Sequence, residues 1–277
     1  MEPRRLKVRT PALASYVDHL RVWPAAPRGT RRYVEHLPDG ASAVLFRATA
    51  QGPGGDLSAA GAVTRARYKE APGEPMTVTV RFKPGGAYPF LGVPLHTLTD
   101  RTLPLEELWG VQARELLDRL LHCRDEVEVT ERLEEALVTR LERGQRLELC
   151  SAVRVLRKVR RLTTEYRVRD VAGLAKLVGL GERQLRRVFA SAVGIGPKAY
   201  LQMLRFNRAI QMVSAPGGRL AAEAGYYDQA HLIAEFRRLA RMTPRDFARR
   251  RQPGAPSLPR CRRAELASTA PGRGRSE

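Results

Sequence analysis

Short apolar stretches alternate with turn signals along the first hundred residues, and the pattern then changes to a helical period. Met76–Phe82 alternates apolar and polar side chains, which predicts a strand with one buried face. The apolar run 43–46 follows a Pro-Asp-Gly turn at 38–40 and predicts another strand. The segments 51–55 and 83–86 are predicted as loop and turn, so this region is expected to be rich in β-structure.

From residue 102 onward, leucines recur three or four positions apart, which is the spacing of a helix face. Pro104 suits a first helical turn, and acidic residues at 106 and 107 suit the positive end of a helix. The leucines of the two predicted helices are Leu105, Leu108, Leu116 and Leu120, then Leu133, Leu137 and Leu141. We therefore predict an α+β chain, with a β-rich domain closed by two helices over residues 1–145 and an all-helical domain over 151–251.

The whole chain has a formal net charge of +20, and this positive charge is concentrated in its C-terminal half. Residues 1–150 hold 22 Lys and Arg against 20 Asp and Glu, whereas 151–277 hold 27 against 9. An excess confined to one domain indicates an anionic partner for that domain, either nucleic acid or a membrane surface. Residues 252–277 are rich in Pro, Gly, Ser and Arg and are predicted to form a disordered basic tail.

A membrane or secreted location is not expected. No apolar run approaches the roughly 20 residues that span a bilayer. No apolar core follows the basic N-terminus, as a signal peptide would require. Cys123, Cys150 and Cys261 are scattered and odd in number, which is typical of reduced thiols. The sequence therefore predicts a cytoplasmic protein and favours nucleic acid as the anionic partner.

The sequence shows no arrangement typical of an enzyme. The cysteines form no CxxC pair and no zinc-binding spacing with histidine, and His36 and His96 are isolated. The Lys-Pro-Gly-Gly segment at 83–86 lacks the Gly-Lys-Ser/Thr that completes a phosphate loop. We therefore expect no catalytic residue, no metal and no cofactor.

Residues 170–192 have the pattern of a helix-turn-helix. A short helix with one apolar face ends at Gly179, a residue that tolerates the positive φ of a tight turn, and Gly181 begins a second helix. In this motif the second helix enters the major groove of DNA, where Arg reads guanine and Gln reads adenine. The outward positions of this helix are Arg183, Gln184, Arg186 and Arg187.

A second unit with similar spacing follows the first. Pro197 opens a long helix that is apolar on several sides, and Gly225 then takes the place that Gly179 has in the first unit. Phe189 follows its turn glycine by ten residues, and Phe236 follows Gly225 by eleven. Two such units in a row are an internal repeat of a binding module.

The sequence Gly-Tyr-Tyr-Asp-Gln-Ala-His-Leu at 225–232, followed by Met-Thr-Pro at 242–244, is the most specific motif in the chain. Together with 185–189 and 194–197, it makes residues 151–251 resemble the DNA-binding domain of AraC/XylS transcription regulators. The resemblance implies that both recognition helices enter successive major grooves on one face of DNA. It implies a DNA-binding set of Arg183, Gln184, Arg186, Arg187, Asp228, Gln229, His231 and Arg237.

Some of these positions are expected to have other roles. For His231, N-terminal capping or a phosphate contact is expected in preference to base reading. The core residues that the resemblance implies are Leu185, Phe189, Leu204 and Phe236.

The resemblance implies a sequence-specific, effector-responsive regulator that binds double-stranded DNA, with RNA polymerase as a further partner if the protein is an activator. The segment 216–225 is about three residues shorter than the family pattern, which is close to one helical turn. A first helix shortened in this way would hold its partner helix loosely. The alternative is therefore a largely non-specific DNA-binding protein with a degenerate second helix-turn-helix.

The N-terminal part is similar to sensor domains found ahead of such DNA-binding regions. The similar segments are 37–40, 81–87, 91–94 and 104–110. In the wider family such domains are cupin-like β-barrels that bind a small effector or mediate dimerisation. The similarity therefore implies a cupin-like domain, a small-molecule effector and a homodimer.

Overall fold

The computed structural model consists of a β-rich N-terminal domain followed by helices, which confirms the predicted α+β class. It describes residues 3–49, 54–73, 75–143, 147–165, 168, 170–213 and 220–251. The predicted disordered tail at 252–277 lies outside the described residues, as do residues 214–219 of the shortened segment. No helix in the described ranges is long and apolar enough to cross a membrane.

Eight strands build the described part of the N-terminal domain. They are β1 Arg4–Leu6, β2 Val17–Trp23, β3 Arg31–His36, β4 Ala43–Ala48, β5 Gly55–Ala60, β6 Arg67–Pro72, β7 Met76–Phe82 and β8 Thr102–Pro104. Six of them form one antiparallel sheet in the order β1-β2-β7-β4-β5-β8, and β3 pairs with β6 in a separate antiparallel ribbon. The alternation predicted for β7 is confirmed, because Val78, Val80 and Phe82 are buried and the residues between them are less so.

Helices cover the apolar face of the six-stranded sheet. They are α1 Tyr88–Leu91, α2 Glu106–Trp109, α3 Val111–Leu121 and α4 Glu126–Arg143. Buried residues of the strands, such as Phe46, pack with Phe90 of α1, Leu116 of α3 and Leu133 of α4 in one core. Burial of this apolar surface is what joins the sheet to its helices.

The prediction of one helix starting near Pro104 was wrong. Thr102–Pro104 is a strand instead, because it pairs with β5 and completes the edge of the sheet. Gly110 then separates α2 from α3, with a φ of 59° that an L side chain would rarely adopt. The indole nitrogen of Trp109 donates to the carbonyl oxygen of Phe90 at 2.9 Å, which anchors the chain just before this break.

The β3–β6 ribbon lies over the polar face of the six-stranded sheet. Arg32 of the ribbon donates to the carbonyl oxygen of Pro75 at 3.2 Å, and its guanidinium lies 5.5 Å from the ring centroid of Trp23. Burial lowers the pKa of His36 to about 4, and the positive charges of Lys69 and Arg81 contribute. The side of the ribbon that carries Arg32 and His36 therefore faces the sheet.

Seven helices follow in the described part of the C-terminal half. They are α5 Leu147–Glu165, α6 Val171–Val178, α7 Glu182–Ala192, α8 Pro197–Met212, α9 Leu220–Ala224, α10 Gln229–Ala240 and α11 Pro244–Arg250. Helix α8 passes through two cores: Tyr200 and Leu201 pack with α6 and α7, whereas Phe206 and Ile210 pack with α9, α10 and α11. The predicted burial of this long helix is therefore confirmed.

The two domains are in direct contact near the core that contains Tyr200 and Leu201, which we call the first core. The Thr99 hydroxyl donates to the carbonyl oxygen of Gly194 at 2.6 Å, and the Asn207 amide donates to the carbonyl oxygen of Pro38 at 3.1 Å. Gly85 lies so close to α5 that a Cβ at this position would stand 2.2 Å from Leu156 Cδ1. The N-terminal domain therefore packs against the helices that follow it.

Candidate nucleic-acid interface

The first helix-turn-helix is formed by α6 and α7. The carboxylate of Asp170 caps α6 by accepting from the backbone N–H of Gly173 at 2.7 Å. Gly179 ends α6 with a φ of 76°, and its backbone N–H donates to the carbonyl oxygen of Ala175 at 3.0 Å. This left-handed residue redirects the chain toward Gly181, the residue that begins α7. The turn therefore has the conformation that its glycine predicted.

The two faces of α7 differ sharply in polarity. Leu185 and Phe189 are fully buried, as expected from the sequence, and the Phe189 ring meets the Tyr200 ring edge-on at 5.3 Å. The opposite face is exposed and carries all four predicted residues of this unit: Arg183, Gln184, Arg186 and Arg187. These four lie within five consecutive positions of one helix, so the structure brings them together.

Arg186 has one charged neighbour on its own helix. It forms an ion pair with Glu182, one helical turn earlier, in which the Arg186 side chain is 60% exposed and the Glu182 side chain 41%. Exposed pairs of this kind contribute little stability. A phosphate or a base edge can therefore compete with Glu182 for this guanidinium.

The second helix-turn-helix is formed by α9 and α10. The described part of α9 has five residues, against eight in α6. The residues that precede Leu220 lie outside the described ranges, so the predicted shortening of this helix stays a prediction. Gly225 makes the turn with a φ of 89°. The following Tyr226 is buried, and its ring meets the His231 ring edge-on at 5.3 Å. Burial, followed by the nearby negative charge of Glu235, raises the pKa of Tyr226.

Helix α10 has a side-chain cap at its N-terminus. The Asp228 carboxylate accepts from the backbone N–H of His231 at 2.7 Å. The capping role expected as one alternative for the His231 side chain therefore belongs to Asp228, because a short acceptor at the first position reaches the free N–H groups of the first turn. The four predicted residues Asp228, Gln229, His231 and Arg237 are all exposed.

The inward side of α10 is apolar except for one buried acid. Phe236 is fully buried against Phe206 and Phe247, with ring centroids 5.0 and 5.9 Å away. Glu235 is also buried, and its carboxylate lies 3.6 Å from the guanidinium of Arg205 on α8. A buried charge needs such a partner, so this pair links the recognition helix to α8. Leu204, which the sequence placed in the core, is half-buried against the first core.

Sequence analysis missed two exposed residues beside α10. Tyr227 is 94% exposed at the turn before this helix, where its phenol ring is available to a partner. Arg238 is exposed next to Arg237 and lies 3.5 Å from Glu235. The sequence signal for Tyr227 was the pair of tyrosines after Gly225. The turn buries the first of them, Tyr226, and leaves the second, Tyr227, exposed.

No group of three or more His, Cys, Asp or Glu side chains within the described ranges could hold a metal ion. Cys123 is half-buried, and burial raises the pKa of its thiol, with the negative charge of Glu128 contributing. His36 and His96 lie on different elements, the ribbon and the segment that follows α1.

Comparisons with known proteins agree with this geometry. Residues 174–250 match a family described as a helix-turn-helix domain, and residues 10–104 match a domain family of unknown function. No curated protein matches the chain.

Two solved structures are similar to the chain over most of its length. An apo variant of ToxT from Vibrio cholerae strain SCE256 is 9% identical, with 88% of this chain and 98% of that chain covered and a TM-score of 0.39. ToxT from Vibrio cholerae O395 is 9% identical, with 83% and 96% covered and a TM-score of 0.37. A similarity at these TM-scores carries no argument about fold or function.

Proposed function

We propose that the protein is a transcription regulator of the AraC type that reads DNA sequence through α7 and α10, because residues 174–250 match a helix-turn-helix domain family. The observation that carries the proposal is the division of each recognition helix into a buried apolar side and an exposed polar side. In α7 the exposed side combines three arginines with a glutamine, which are side chains that pair with guanine and adenine in the major groove.

Arginines at the ends of α10 and α11 also support an anionic partner. Arg237 and Arg238 lie in the last turn of α10, and Arg249 lies in the last turn of α11. Arginines at such positions suit contacts with the phosphates that flank a recognition helix. Phosphate contacts fix the position of the protein on the duplex, and they make its affinity depend on salt.

Substitution of Arg186 tests base reading by α7. We expect Arg186→Ala to weaken binding to the preferred site by about 1–3 kcal/mol and to relax the choice of base at one position. Arg114→Ala is the matched control, because it removes an exposed arginine from the N-terminal domain and should change neither quantity. The measurement is binding of the full chain to a library of randomised sites. Equal weakening by Arg186→Ala on every sequence would contradict base reading by this residue.

The shortening predicted from the sequence for the segment 216–225 keeps the alternative function open. A degenerate second unit would leave the protein largely non-specific, with an affinity that depends on charge and DNA shape. The two functions differ in the ratio of specific to non-specific affinity at one salt concentration. If the second unit is the weaker reader, substitution of Gln229 and His231 costs less discrimination than substitution of Arg183 and Arg186. An equal loss of base discrimination in both units would mean that the predicted shortening of the segment 216–225 does not impair base reading.

The proposal assigns regulation to the N-terminal domain. Its sequence similarity to sensor domains supports a small-molecule effector and a homodimer, both of which would act through the DNA-binding helices. Thermal-shift screening of metabolites tests for the effector, and sedimentation of the full chain tests for the dimer. Activation through RNA polymerase in the cytoplasm is the final part of the proposal, and transcription from a bound promoter with purified polymerase tests the activation.

A further inference from the structure

The two recognition helices end in different ways. The last carbonyl groups of a helix have no partner within the helix and need donors from elsewhere. After α7 the chain itself supplies donors to one of these carbonyl groups, because the backbone N–H groups of Val193 and Gly194 donate to the carbonyl oxygen of Phe189 at 2.9 and 3.0 Å. After α10 comes Arg241, which adopts a left-handed conformation with a φ of 59° that is unfavourable for a residue with a side chain.

The N-terminal domain supplies the donors that close α10. The backbone N–H of Ala66 donates to the carbonyl oxygen of Leu239 at 2.6 Å. The hydroxyl of Tyr68, on β6 of the ribbon, donates to the carbonyl oxygen of Ala240 at 2.9 Å. The last two residues of the recognition helix are therefore hydrogen-bonded to β6 and to the residue just before it, about 170 residues earlier in the chain.

The same side of the ribbon also contacts α11 and the residue after it. The guanidinium of Arg250 lies 4.6 Å from the ring centroid of Tyr33 and 4.5 Å from that of Tyr68. Arg251 forms an ion pair of 3.0 Å with Glu35. Tyr33, Glu35 and Tyr68 lie on one face of the ribbon, because Glu35 is paired with Tyr68 and Tyr33 is two residues from Glu35. The opposite face of the ribbon covers the six-stranded sheet.

From these contacts we infer that the β3–β6 ribbon is the C-terminal cap of the second recognition helix, and that Tyr68 is a positioning residue for DNA reading by α10. The role of Tyr68 in DNA reading rests on the proposed function, whereas the capping of α10 by the ribbon does not. The ribbon holds α10 at the end opposite to Asp228. Helix α7 meets the N-terminal domain at a different place, where the Thr99 hydroxyl donates to the carbonyl oxygen of Gly194, so a change in the ribbon is expected to affect one half of the DNA site.

Removal of a single hydroxyl tests the cap in the full chain. Tyr68→Phe removes the donor to Ala240 and keeps the aromatic ring beside Arg250. Tyr33→Phe is the matched control, because the Tyr33 hydroxyl is buried without a hydrogen-bond partner among the described residues. We expect amide hydrogen exchange in the last turn of α10 to become about two- to tenfold faster in Tyr68→Phe, the range that one hydrogen bond supplies. Exchange in α7 should stay unchanged, and Tyr33→Phe should behave like the parent protein.

Binding to a library of randomised sites gives the second readout. Base discrimination in the half-site of α10 should fall by a similar factor in Tyr68→Phe, with the half-site of α7 unaffected. Two results would overturn the inference: exchange in α10 that is the same in Tyr68→Phe and Tyr33→Phe, or an equal increase in α7 and α10. If the parent protein shows no base preference at all, the proposed function fails, and hydrogen exchange alone still decides whether the ribbon caps α10.

Discussion

The two helix-turn-helix units have the same order of elements but are held in place by different parts of the chain. In the first unit, an eight-residue α6 supports α7, and the backbone that follows α7 closes its C-terminus. In the second unit, the described α9 has five residues, and a strand of the N-terminal domain donates to the end of α10. The backbone donors at the end of α7 are therefore local, whereas donors at the end of α10 come from a distant part of the chain.

At their N-termini the two recognition helices also differ, because α10 has a side-chain cap and α7 has none. The N-cap of α7 is Gly181, which has no side chain to cap the helix, whereas the N-cap of α10 is Asp228, whose carboxylate accepts from a backbone N–H. The first unit therefore combines a weak cap with three exposed arginines among its predicted residues, and the second combines a strong cap with one. Stability and DNA chemistry are distributed differently between the units, and substitutions at five positions separate these contributions.

The largest expected effect comes from the aromatic residue at the centre of each core. Phe189→Ala and Phe236→Ala should each lower the free energy of unfolding by about 3–5 kcal/mol, because each ring is fully buried and its removal leaves a cavity. Urea unfolding of the full chain measures both values. Phe→Leu at each position is the control, with a smaller loss because most of the volume is kept. A loss below about 1 kcal/mol for either alanine variant would show that its core is not tightly packed.

Acid should weaken the domain that supports the second unit. The pKa of His36 is about 4 in the folded chain, below the ordinary value of 6.5, mainly because of burial and then because of Lys69, Arg81, Arg21 and Arg67. Between these two values the unfolded chain binds a proton that the folded chain does not. The free energy of unfolding should therefore fall as the pH drops from 6.5 to 4, by up to about 3 kcal/mol.

Unfolding measured across this pH range checks the His36 effect. His36→Gln should flatten the dependence, whereas His96→Gln, which removes an exposed histidine, should leave it as it is. Parallel curves for the parent protein and His36→Gln would show that His36 does not carry this dependence.

A smaller effect is expected at the cap of α10. Asp228→Ala should lower the free energy of unfolding by roughly 0.5–2 kcal/mol, because one backbone N–H of the first turn loses its acceptor. Asp228→Ser keeps an oxygen that can cap the helix and should recover most of the loss. Thermal unfolding of the three proteins measures the difference. Equal stabilities for the alanine and serine variants would show that the cap does not contribute.

The smallest effect is expected at the start of α7. Gly181→Ser should raise the free energy of unfolding by a few tenths of a kcal/mol, because serine is a better N-cap than glycine. Gly181 has a φ of −69°, which any residue can adopt, and a Cβ would find no atom within 4 Å. Gly181→Ala is the control without a capping oxygen. If the serine variant is no more stable than the alanine variant, α7 does not need a side-chain cap.

Much of the fold and of the candidate interface could be predicted from local sequence. Gly179 and Gly225 were placed at turns, and both have the positive φ that a turn of this type requires. Phe189 and Phe236 were placed in the core, and the eight predicted interface residues are all exposed. These features follow from helix periodicity and from the conformational freedom of glycine, which act over a few residues. Whether the eight residues contact DNA stays a prediction.

The sequence by itself thus determined the repeat of two units, the side of each recognition helix that is exposed, and the concentration of positive charge beyond residue 150. Only the tertiary structure decided that Thr102–Pro104 is a strand and that the N-terminal ribbon closes α10. A sheet edge and a cap supplied from another domain depend on residues that are far apart in the chain. Such contacts leave no periodic pattern, because each one is a meeting of two surfaces that only the completed fold brings together.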